Sequence, residues 1–214
     1  MIKVTASFDD GSIYDLRTAD IMYNFKIPTT FYIPVNWKKY LLMKGIQPLT
    51  EEQLRKIAEE FEIGSHSVNH LLLTRISEEQ QITEIYESKQ YWEEFFKHQI
   101  NKFCYPRGYY TTDIMEIVKG AEYSEARTTL VGELNPPENL LARHTTIHVA
   151  CDRREYGCSW LAFAKRMIEK ALEKESRGEE VDFHFWGHSA EIHENNQWDN
   201  FIKFMELLNE NILS

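Results

Sequence analysis

Four short segments of this chain place metal-binding and proton-transferring side chains directly after apolar runs. Ser7-Phe8-Asp9-Asp10-Gly11 sets two carboxylates side by side at the end of the run Ile2–Phe8. Like charges raise one another's pKa, and a nearby cation relieves the cost. The plainer alternative is an Asp-Gly turn with a helix-capping Asp. Gly64-Ser65-His66-Ser67-Val68-Asn69-His70 carries two imidazoles four residues apart. On one face of a helical turn such a pair suits a single metal ion, although an isolated HxxxH also arises by chance. Phe103-Cys104-Tyr105-Pro106-Arg107-Gly108-Tyr109 reads as a strand ending in a rigid turn and carries no chemistry by itself. His184-Phe185-Trp186-Gly187-His188-Ser189 ends an almost wholly apolar strand on a histidine. Gly187 beside it permits close approach of another group.

These segments need elements to hold them. Strand patterns fall at Ile2–Phe8, Thr29–Ile33, Glu62–Ser65, Lys102–Tyr105, Tyr123–Arg127, Leu141–Ile147 and Val181–Trp186. Helical patterns lie between them at Ile13–Phe25, Thr50–Glu60, Ser77–Lys97, Thr111–Lys119, Ser159–Arg177 and Gln197–Asn211. In the third, Ile82, Ile85, Tyr86, Lys89 and Trp92 recur at helical spacing, and Ser77 with Gln80 resembles a capping box. Strand-then-helix alternation of this kind predicts an α/β fold, a distorted (β/α)7 TIM-like barrel in one domain, 1–214. Three longer stretches, Pro34–Pro48, Thr128–Asn139 and His148–Cys158, read as loops that are either substrate-facing or solvated decoration. All four chemical segments then sit at C-terminal strand ends, where β/α barrels assemble active sites. Two histidines and a carboxylate would hold a divalent ion, leaving a second carboxylate and a further histidine as base and acid.

Composition narrows the partners. The chain has 214 residues, 43% hydrophobic and 27% charged, as in ordinary globular proteins. A formal charge of −10 with scattered basic residues argues against nucleic acid. No apolar run reaches about 18 residues, so no membrane insertion is expected. With Met-Ile-Lys leading straight into a strand and three cysteines matching no zinc ribbon, a cytoplasmic location is expected.

On these residues the chain resembles the polysaccharide deacetylase family (carbohydrate esterase family 4, the NodB-homology domain). Ser7–Gly11 is similar to the family's T-F-D-D-G, His66–His70 to its H-S/T-x-x-H, and Phe185–His188 to its closing L-x-x-H. The resemblance implies that Asp10, His66 and His70 bind a divalent metal, with zinc as the expected ion. It implies that Asp9 is the general base acting on metal-bound water and His188 the acid that protonates the leaving group. It further implies that the metal and a backbone N–H near Arg107, in the Pro106-Arg107 turn, stabilise the oxyanion. The implied substrate is an N- or O-acetylated carbohydrate. Oligomeric state is left open.

The pattern also departs from the family's. Cys104 stands where the third motif R-P-P-Y has its Arg, and Arg107 where it has its aromatic. Arg127, ending the fifth strand, is the candidate partner for Asp9, and Glu191, three residues after His188, the candidate acidic partner for that histidine. Each could instead be a plain ion-pair residue. His144 and His148 would lie about 13 Å apart along a strand and so are not expected to share an ion; at least one could face the barrel mouth, but a structural role is the expectation. His184 is expected beneath the site as packing, His98 and His193 on the surface, and Trp37 in the core, stacked on a sugar or exposed by chance. The cysteines show no nucleophile signature. Two other readings remain: a deformylase or amidase on a nucleotide- or lipid-linked sugar or small amide, and a non-catalytic carbohydrate-binding barrel, against which the retained Asp9 argues.

Overall fold

The computed structural model describes residues 1–213. Strands β1 (Ile2–Asp9), β2 (Thr29–Ile33), β3 (Glu62–Ser65), β4 (Lys102–Cys104), β5 (Glu125–Arg127), β6 (Ile147–His148) and β7 (Val181–Gly187) form one sheet. All pairs are parallel, in the order β5-β4-β3-β2-β1-β7-β6. The sheet curls, and an isolated parallel bridge between Arg127 and Arg143 joins its two ends into the expected distorted (β/α)7 barrel.

The central strands show why the barrel has a dry wall and a polar interior. In the β1–β7 register Thr5 pairs with His184 and Ser7 with Trp186, so these side chains share the inner face. Phe8, one residue out of phase, packs outward against Phe201 of α8 (Trp198–Leu208) at 5.9 Å between ring centroids. Phe185 meets Phe204 of the same helix at 5.1 Å. His184 fills the barrel floor as expected, bridging Thr5 Oγ1 at 2.8 Å and Ser7 Oγ at 2.9 Å.

The other helices are α1 (Asp15–Asn24), α2 (Trp37–Met43), α3 (Glu51–Ala58), α4 (Glu78–Phe96), α5 (Thr112–Gly120), α6 (Trp160–Ser176) and α7 (Ser189–Glu194). The capping box of α4 forms: Ser77 Oγ accepts from Gln80 N–H at 3.3 Å and Gln80 Oε1 from Ser77 N–H at 3.1 Å. Of its expected apolar stripe, Ile85 and Trp92 are buried while Ile82 and Tyr86 are exposed. Trp92 reaches the sheet and donates to the Ile33 carbonyl at 2.9 Å.

Two assignments need correction. The strand expected over Leu141–Ile147 is reduced to β6, because Leu140–Ala142 turns as a single 3-10 segment before Arg143 meets β5. Pro34–Pro48, expected as a loop, contains α2, whose Trp37 and Leu41 bury against the core. Trp37 therefore packs rather than facing solvent, its Nε1–H donating to Leu49 O at 3.0 Å. No helix among the described residues is long and apolar enough to cross a membrane.

Candidate metal and catalytic site

The first motif owes its shape to two consecutive left-handed residues. Asp9 closes β1, and Asp10 and Gly11 follow at φ 84° and 78°. For a residue with a side chain that conformation costs about 1 kcal/mol or more, and here it turns the Asp10 carboxylate into the barrel mouth. Asp10 N–H is tied to Tyr32 O of β2 at 3.0 Å.

The second motif does not form the expected helical turn. Ser67 and His70 have φ of 65° and 56°, giving a non-helical bend. Ser67 Oγ accepts from His70 N–H at 3.1 Å, and Glu84 of α4 accepts from Asn69 N–H and Nδ2 at 2.7 and 2.6 Å. The bend brings the two rings to 4.7 Å. His66 Nε2 and His70 Nε2 lie 3.9 and 3.7 Å from Asp10 Oδ1, a buried oxygen with no hydrogen-bond partner. One donor atom from each of these residues falls within 4.8 Å of the others. His66 Nδ1–H donates to Cys104 O at 2.7 Å, which leaves Nε2 as the free lone pair. Burial lowers the pKa of His66 to about 4 and that of His70 to about 3, so both are neutral and ready to ligate. The donor set fits a divalent ion.

Arg127 occupies the place left by Cys104. The two are register partners on β5 and β4, and the small thiol leaves room for the neighbouring guanidinium on the inner face. Arg127 is fully buried, and its Nη2 donates to Asp9 Oδ2 and, at 2.9 Å, to Cys104 Sγ. Burial pushes Asp9 up, but Arg127, with His66 and His188, outweighs it and holds the carboxyl below its ordinary value. Asp9 Oδ1 is buried and without a hydrogen-bond partner.

His188 stands between Gly187 and α7, with Nε2 3.9 Å from Asp10 Oδ2. A Cβ at Gly187 would meet the Val149 Cγ2 methyl at 2.8 Å, so a larger residue there would have to push Val149 aside. Glu191 Oε2 lies 3.0 Å from His188 Nδ1, just outside hydrogen-bond geometry, and hydrogen-bonds His148 Nε2 at 3.0 Å. Burial opposes charge on His188, yet Glu191, aided by Asp10 and Asp9, carries its pKa up to about 9.

A cleft of about 510 Å³ connects these groups, lined by Asp9, Asp10, His66, His70, Arg107 and His188 among others. Pro106 is buried and does not line it. Of the three expected loops, Pro34–Pro48 contributes Tyr40, Leu41, Lys44 and Ile46, Thr128–Asn139 contributes Thr129, and His148–Cys158 contributes none. His144 lies elsewhere, whereas His148, though not part of the cleft lining, hydrogen-bonds Glu191, which is. Sequence reasoning left open that one of this pair faces the barrel mouth but assigned it no role there; it missed Lys44, whose Nζ is 3.6 Å from Asp10 Oδ2, and Asp15. Asp15 is fully buried in α1, and burial, with Asp10 and Asp9 adding repulsion, raises its pKa to about 8. No sequence spacing announces either of these two.

Comparison with known proteins adds to the geometry. The family model described as "Polysaccharide deacetylase" matches residues 2–126. The provisionally named polysaccharide deacetylase YxkH of Bacillus subtilis (strain 168) is 30% identical over 146 residues, 66% of this chain and 50% of that one. The chain spans about half the length of the curated relatives it matches. Among solved structures, the chitin deacetylase of Colletotrichum lindemuthianum aligns with a TM-score of 0.63 at 14% identity, covering 96% of this chain and 81% of its own. A Bacillus anthracis protein described as a family 4 pseudoenzyme aligns at 0.56 with 13% identity, covering 95% and 60%. At these identities the structural matches speak to the fold alone.

Proposed function

The chain belongs to the polysaccharide deacetylase family, and from that premise we propose that it hydrolyses acetyl groups from an N- or O-acetylated carbohydrate with the help of a divalent metal ion. The observation that carries the reading is the convergence on one cleft of the His66/His70 pair, the orphaned Asp10 Oδ1, the unpartnered Asp9 Oδ1 and His188. Asp10, His66 and His70 would hold the ion, zinc being suited to two imidazoles and a carboxylate. When bound, such an ion polarises an acetyl carbonyl and acidifies water.

The chain's own residues divide the remaining work. Asp9 takes a proton from water at Oδ1 while Arg127 fixes its other oxygen, and the water oxygen adds to the acetyl carbonyl. As the carbonyl re-forms, the sugar nitrogen or oxygen leaves with the proton that His188 held at Nε2. The products are acetate and the free amine or alcohol. Arg107 also lines the cleft, and its backbone N–H is the candidate donor to the developing oxyanion, a contribution commonly worth about 3–4 kcal/mol.

The test combines metal analysis with product release for the parent chain and His66→Ala. The parent is expected to carry about one equivalent of metal and to release acetate from N-acetylated oligosaccharides; the variant should lose both. Absence of metal from the parent after reconstitution overturns the metal reading. Release of formate from N-formyl sugars, with none of acetate, replaces the deacetylase by a deformylase.

A further inference from the structure

We propose that His148 is a positioning residue for the proton-donating histidine, acting through Glu191. The inference rests on the reading of His188 as the acid. Glu191 Oε2 sits 3.0 Å from His148 Nε2 and 3.0 Å from His188 Nδ1, so one carboxylate oxygen serves two imidazoles. Glu191 is only partly buried and its side chain is long. With one partner it would lose rotamer freedom for little return and swing toward solvent.

His148 supplies the rigid second anchor. Its ring lies flat on Trp186, centroids 3.8 Å apart and planes 11° apart. Its backbone is clamped by Tyr156, whose hydroxyl accepts from His148 N–H at 2.7 Å and donates to His148 O at 3.1 Å. Burial holds His148 below its ordinary pKa, so a neutral ring donates Nε2–H to Glu191. The carboxylate is thereby aimed at His188 Nδ1, which leaves His188 Nε2 facing the cleft. Trp186 also packs against the Arg127 guanidinium, 4.6 Å from the ring centroid. One indole therefore braces the supports of both Asp9 and His188.

The same three residues offer donor atoms close enough to be considered for a second metal ion. The His148 Nε2–Glu191 Oε2 contact at 3.0 Å is a hydrogen bond, and ligation of Nδ1 would turn His188 from acid into ligand. The geometry favours the positioning role.

The experiment compares His148→Leu, His148→Gln, Glu191→Gln and the Leu/Gln double variant on an N-acetylated oligosaccharide and on 4-nitrophenyl acetate. The latter's phenolate departs without a proton. His148→Leu should lower kcat on the sugar at least about tenfold with KM changed less than about twofold, while the aryl ester loses less than about twofold. His148→Gln keeps a nitrogen donor at similar reach and should recover most of the loss. The double variant should be no worse than Glu191→Gln alone. Equal losses on both substrates, or none on the sugar, overturn the proposal. Independently of turnover, the His188 ring signals in a long-range proton–nitrogen NMR spectrum should be a single set in the parent and broaden in His148→Leu. Unchanged signals overturn the proposal even if the chain hydrolyses neither substrate, a result that would sink the deacetylase reading separately. So would a second equivalent of metal that disappears in His148→Leu count against the positioning role.

Discussion

At the scale of single residues, the site works by giving similar groups different surroundings. Asp9 and Asp10 are neighbours in sequence, yet one carboxylate is fixed by a buried guanidinium and the other faces two neutral imidazoles. Asp9→Asn should therefore keep its metal, bound by other residues, and lose about a hundredfold or more in kcat; full activity with metal in place would remove Asp9 as the base. The histidines give a signed pH dependence. His66 and His70 stay neutral to about pH 4 and about 3, against 6.5 for a free imidazole. Below pH 6.5 the unfolded chain takes up protons that the folded chain refuses. The metal-free protein should lose stability as pH falls from about 6.5 toward 4, on the order of 1.4 kcal/mol per unit for each histidine. His188 has the opposite sign: its pKa is raised to about 9, so its contribution is complete below 6.5 and fades as pH rises through 9. Denaturation of the metal-free chain across this range checks both limbs, and a flat acid limb in the parent would contradict the first.

At the scale of elements, adjacent strands share a task. Cys104 on β4 and Arg127 on β5 fill one space, the thiol making room for the guanidinium. Arg127→Met should destabilise the fold by about 3–5 kcal/mol, because Asp9 is left buried without its counter-charge. Adding Cys104→Arg to that variant should recover part of the loss, since a guanidinium then arrives from β4; urea midpoints of the two variants decide. α4 acts on the metal motif through Glu84, which is buried and holds Asn69 in the bend between His66 and His70. Glu84→Gln removes the charge from those bonds, and metal affinity measured by competition should fall about tenfold or more. Much of this scale was legible in the sequence. β1, β3, β4 and β7 announce themselves as short strand patterns ending in the four motif segments, and Arg127 could be named because Cys104 left the third motif without its guanidinium. His148 could not, because its partner Glu191 lies 43 positions away on a helix of six residues. β6 was blurred for a related reason: two paired residues leave little alternation to read.

At the scale of the whole molecule, a bound metal should stabilise the native chain by mass action, about 2.7 kcal/mol at a hundred times its Kd, or roughly 5–10 °C in Tm. His70→Ala should abolish the shift, measured by calorimetry with and without metal. The ring of strands has one thin place. β1 and β7 pair over seven residues, whereas the ends of the sheet meet through a single bridge and the two bonds Arg143 N–H to Ala126 O and Thr128 N–H to Arg143 O. If thermal breathing parts the barrel there, two unpaired strand edges are bared at once, each a template for a neighbouring copy. Aggregation on mild heating would then start from this seam rather than from global unfolding. The amides of Thr128 and Arg143 would exchange with deuterium well before those of β1, and equal protection at both places would show that the ring opens nowhere in particular.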